Sequence, residues 1–88
     1  MLQVPETTKQ ARMIHETSMK ELLDRLYAEG YRANLTGRPE TGFFIAGILL
    51  LSTSYIEHVV DDDFYEDRQF AAAVECKKTN IKGVAIYR

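Results

Sequence analysis

A single cysteine, Cys76, stands in a chain of 88 residues. It excludes an intrachain disulfide and a zinc site built on cysteines. Excess charge of either sign is also missing: 13 acids against 11 bases leave a net charge of −2, which is no whole-surface footprint for nucleic acid. The start, MLQVPETTKQ, lacks the positive region and apolar core of a secretory signal, so a reducing, cytoplasmic setting is expected. Long apolar runs are lacking too. The longest, Phe43–Ile56, has 14 residues without a charge, whereas a spanning helix needs about 20, so no membrane partner is expected. Repeats and low-complexity tracts are absent.

The length fits one domain over residues 1–88. A hydrophobic fraction of 45% with 27% charged residues marks it as globular rather than disordered. So small a domain hides only about 60–65% of its unfolded surface, which makes a homodimer the expected assembly.

The spacing of Ile14, Met19, Leu22, Leu23, Leu26 and Tyr27 predicts a helix over 7–30. Thr7 and Gln10 would form its capping box, Glu21 and Arg25 an i,i+4 pair, and Gly30 its left-handed stop. His15 would sit at the border of its buried face. Tyr31, Ala33 and Leu35 alternate with polar residues as in a half-buried strand, followed by a turn in TGRPETG. Gly47 and the β-branched and aromatic residues of FFIAGILLLSTSYIEHVV favour strand. As one strand this run would be about 60 Å long, so a break at Ser52–Ser54 predicts a hairpin of Phe43–Leu51 and Tyr55–Val60. FYEDRQFAAAVECKKTN has helix formers, acids in front and lysines behind, which the helix dipole favours. A second helix is predicted there, started by Asp63 and Glu66 and stopped at Asn80, with IKGVAIYR as a last strand. The fold expected is α+β in the order α-β-β-β-α-β, with two helices packed on one sheet.

DDDFYED, Asp61–Asp67, holds five carboxylates and no base. A helix start accounts for some of them, but like charges at that density cost stability unless something uses them. An EF-hand is excluded, because its positions 5, 6 and 12 would be Tyr65, Glu66 and Ala72. A casual divalent contact among Glu57, Asp61 and Asp63 is one alternative. A small metal-dependent nuclease is another: Asp63 precedes Glu75-Cys76-Lys77, and carboxylates could hold Mg²⁺ while the lysine positions water. Glu75 and Lys77 share a side only on a strand, so the predicted helix argues against it. A third reading makes the stretch a docking surface that imitates phosphates or fills a basic groove, with Tyr65 as an anchor.

Neither a metal site nor a cofactor site is expected. Gly37–Gly42 lacks the Lys-Ser/Thr of a P-loop, Ser52 and Ser54 lack a nucleophile elbow, and Cys76 reads as a small buried hydrophobe. The expectation is a non-enzymatic binding or regulatory protein, of the inhibitor or adaptor kind, that meets another protein through Asp61, Asp62, Asp63, Tyr65 and Asp67. Besides the nuclease, the remaining alternative is nucleic-acid contact through Arg32, Arg38 and the C-terminal Lys77, Lys78, Lys82 and Arg88.

Overall fold

The computed structural model describes residues 13–16, 18–61 and 68–88. The described residues form one seven-stranded mixed sheet and one helix: β1 Met13–Glu16, α1 Met19–Ala28, β2 Ala33–Arg38, β3 Gly42–Ile45, β4 Ile48–Leu49, β5 Thr53–Val60, β6 Gln69–Cys76 and β7 Ile81–Tyr87. The strand order is β1-β5-β6-β7-β2-β3-β4. An antiparallel meander, β5-β6-β7, forms the centre. β1 pairs parallel with β5, and β2 parallel with β7. Helix α1 therefore carries the chain across one face from one flank of the meander to the other.

The expected order with two helices is thus corrected. The first helix is shorter than predicted. Thr7 and Gln10 lie outside the described residues, and the cap is Ser18, whose hydroxyl accepts from the Glu21 N–H at 3.3 Å. Ser18-x-x-Glu21 is itself a capping-box spacing. Upstream of it Met13–Glu16 pairs as a strand, which moves His15 off the helix and into the open. Leu22 and Leu26 are the buried helix residues, and Gly30 follows in the left-handed region at φ +103° as expected.

The second predicted helix is strand β6, hydrogen-bonded to β5 on one side and β7 on the other. Ala71 and Ala73 lie beneath Leu22 and Leu26, whereas Ala72, Val74 and Cys76 join Leu35, Phe43 and Leu50 in a cluster on the opposite face. A strand covered on both faces shows no polar alternation. The alanines let the helix and the opposing hairpin approach closely, and this outweighs their intrinsic helix preference. The acids expected to start that helix, Asp63 and Glu66, lie outside the described residues. Asn80 is left-handed at φ 61°, but in the turn joining β6 to β7.

The predicted hairpin divides differently. Its first arm is itself a hairpin, β3 and β4 turning at Ala46-Gly47, and its second arm, β5, pairs with β1 and β6 instead. The break at Ser52 stands, at φ 59°. Phe43 and Leu50 from the β3–β4 segment bury against Val74 and Cys76, so this segment covers the face opposite α1.

Candidate functional site

Five residues were expected to make the docking surface. Asp62, Asp63, Tyr65 and Asp67 lie outside the described residues. Asp61 follows β5 directly; its N–H donates to the Glu16 carbonyl at 3.2 Å, and its carboxylate pairs with His15 at 3.2 Å and with Arg68 at 3.1 Å. All three side chains are exposed. Surface pairs of this kind contribute at most about 1 kcal/mol each, so Asp61 remains open to exchange these partners for others.

The nuclease set does not assemble among the described residues. Because β6 is a strand, the objection drawn from a helix falls away. A different one takes its place: Glu75 sits between Ser54 on β5 and Lys82 on β7, with no carboxylate across from it. Lys77 lies in the turn after the strand. Gln69 and Glu75 are six residues apart on β6, about 20 Å at the rise of a strand, so Glu75 occupies the end of the sheet opposite Asp61. The described residues contain no group of three or more His, Cys, Asp or Glu placed to hold a metal ion. Of the casual cation trio, Asp63 is outside the described residues. Glu57 accepts a hydrogen bond from the Tyr87 hydroxyl. Burial, reinforced by that carboxylate, holds the Tyr87 hydroxyl protonated far above its ordinary value of 10.

One ionic cluster among the described residues is partly buried. Glu16 on β1 receives Arg25 of α1 at 2.8 Å and His58 of β5 at 3.1 Å, and His58 is only 4% exposed. The Arg25 hydrogen bond, opposed in part by burial and aided by His58, holds the Glu16 carboxyl below the usual carboxylate range. The Glu21–Arg25 helix pair expected from the sequence is replaced by this contact. His58 and Arg25 line an open cleft of about 210 Å³ between α1 and the sheet, floored by Ile14, Ile56 and Ala73. A histidine oriented by a carboxylate can serve as a general base. Here the same contacts fasten β1, α1 and β5 together, and neither serine nor cysteine is among the described residues lining the cleft.

Sequence reasoning missed the most exposed apolar feature. Ile48 is 67% exposed, Leu51 58% and Leu49 45%, all on or beside β4, the last strand of the sheet among the described residues. The signal is the charge-free run Phe43–Ile56, whose aliphatic composition is equally that of a core segment. Leu50 does bury, donating its N–H to the Phe43 carbonyl at 2.9 Å; its neighbours on either side face outward.

Among the described residues, the fold and these surfaces define a small sheet domain with one crossover helix and an exposed apolar edge strand. No family model matches the chain, and neither a curated protein nor a solved structure matches it. No helix among the described residues is long and apolar enough to cross a membrane.

Proposed function

We propose that this chain is a small non-enzymatic binding domain that pairs with a second copy of itself and presents its acidic stretch to another protein. The observation that carries the pairing is the exposure of Ile48 and Leu49 on β4, the last strand of the sheet among the described residues, and of Leu51 just beyond it. An edge strand offers unpaired backbone groups as well as side chains. Natural edges are usually guarded by charge, and none stands between Gly42 and Ile56. A second copy suits such an edge: two identical antiparallel edges complement each other about a two-fold axis, and an uncharged patch raises no repulsion between chains that each carry −2. A partner selected by charge would find nothing there to pair with.

Cross-linking tests the pairing. Under mild oxidation Ile48→Cys forms a covalent dimer, whereas Arg68→Cys, exposed just ahead of the central strand β6, does not. Cys76 is buried and contributes nothing to either reaction. Equal cross-linking of the two variants, or none in Ile48→Cys, counts against the edge as the contact. The acidic stretch is tested separately by replacing Asp61, Asp62 and Asp67 with Asn. Association with a captured protein partner slows and loses its salt dependence if the stretch steers docking, and is unchanged if it does not.

A further inference from the structure

The basic residues raised as one alternative from the sequence divide between the two ends of the sheet. Arg38 closes β2 and Arg88 follows β7 at one end. At the other, four cations converge. Arg32 precedes β2 and donates its N–H to the Lys82 carbonyl at 3.0 Å, which places it beside the start of β7. Lys77 and Lys78 lie in the turn that feeds β7. Against them stand Glu29 and Glu75, so among the described residues this end holds four cations and two carboxylates in a chain of net charge −2.

Two tyrosines are interleaved with these cations. The Arg32 guanidinium sits 4.7 Å from the ring centre of Tyr27, and the Lys82 ammonium 4.4 Å from that of Tyr31. Lys82 is further pinned by donating to the Glu29 carbonyl at 3.0 Å. Tyr27 is 57% exposed. The hydroxyl and amide side chains of Thr79 and Asn80 are exposed in the same turn as the two lysines.

We propose that this end of the sheet binds single-stranded nucleic acid. Arg32, Lys77 and Lys78 would contact phosphates, and Tyr27 would offer a ring on which an unpaired base stacks. Cations interleaved with aromatic rings suit single strands, because a base can leave its neighbours and lie on a ring while the backbone follows the charges. A duplex keeps its base faces stacked on one another, and polyglutamate has no ring to stack.

The test is fluorescence anisotropy of the full chain with a labelled fifteen-nucleotide oligothymidylate. The same-length duplex and polyglutamate are measured alongside. Single-strand affinity falls with salt at a logarithmic slope of about −2, from three phosphate contacts at about 0.7 each. Lys77→Ala with Lys78→Ala reduces that slope to about −0.7. Tyr27→Ala weakens binding at least about fivefold, consistent with the loss of one stacked base. Arg38→Ala with Arg88→Ala, at the other end, leaves binding unchanged. Circular dichroism confirms that each variant is folded; Lys77 and Lys78 are exposed turn residues whose removal spares the core. The proposal is overturned if the oligonucleotide fails to bind at low salt, if the duplex or polyglutamate binds as tightly, or if the double lysine variant keeps the parent's slope.

Discussion

Glu16 is where three elements meet. Its carboxylate takes Arg25 from the helix and His58 from β5, and its carbonyl takes the Asp61 N–H. At 12% side-chain exposure the carboxylate is largely shielded, so Glu16→Ala leaves the buried His58 ring without this partner while the half-exposed Arg25 turns to water, and should cost about 1–3 kcal/mol. The pH dependence follows from the lowered carboxyl. A depressed group contributes its full stability above its ordinary value of 4.5 and loses it as pH falls through the lower folded value. Melting temperatures measured from about pH 5 down to pH 3 should therefore drop more steeply in the parent than in Glu16→Gln; parallel curves would contradict the role given to Glu16. Ala46 poses the opposite case. At φ 51°, followed by Gly47 at φ 80°, it holds the first position of a two-residue turn with both residues left-handed, where asparagine is preferred. A left-handed Cβ costs about 1–2 kcal/mol, so Ala46→Asn should raise stability by roughly 0.5–1 kcal/mol in urea unfolding, part of the strain remaining. An unchanged midpoint would show that the turn is not strained.

Among the elements, the β2–β7 pair depends on one small residue. A Cβ on Gly83 would lie 2.4 Å from the Ala33 carbonyl oxygen and 2.9 Å from Leu35 Cγ. The two strands meet this closely only because β7 has no side chain there. Gly83→Ala should cost about 1–3 kcal/mol through overpacking, read as a lower urea midpoint; a stabilised variant would refute the close approach. The same pair of strands shows what the sequence makes legible. Val84 and Ile86 alternate with their neighbours, and the last strand was readable from that. The tract Ala71–Val74 carries no such alternation, because its burial on two faces erases the period that separates strand from helix. Local propensity then points to helix, and only pairing with β5 and β7 reverses it. Strand β1 was hidden for a related reason: Ile14 fits a helical stripe continued from Leu22 and Leu26, and four residues are too few to establish a period of two. In the candidate site, the acids were legible as a charge run but not by position. The apolar edge was concealed because Ile48, Leu49 and Leu51 resemble core residues until the topology places β4 last in the sheet.

Across the whole molecule, the two outermost strands of the sheet among the described residues, β1 and β4, differ in character. β1 is bound to the rest by the Glu16 contacts and flanked by the polar side chains of His15, Glu16 and Asp61, which discourage further strand addition. β4 carries exposed aliphatic residues and no charge. A domain of this size gains much by covering such an edge, and the account places the second copy there. Light scattering on the eluted peak, at tens of micromolar (about the range in which weak dimers persist), tests this most directly. The expected result is a mass twice the 10.1 kDa of the single chain for the parent and the single-chain mass for Leu49→Glu, with unchanged circular dichroism. A parent that elutes as a monomer, or a Leu49→Glu variant that remains a folded dimer, would contradict it.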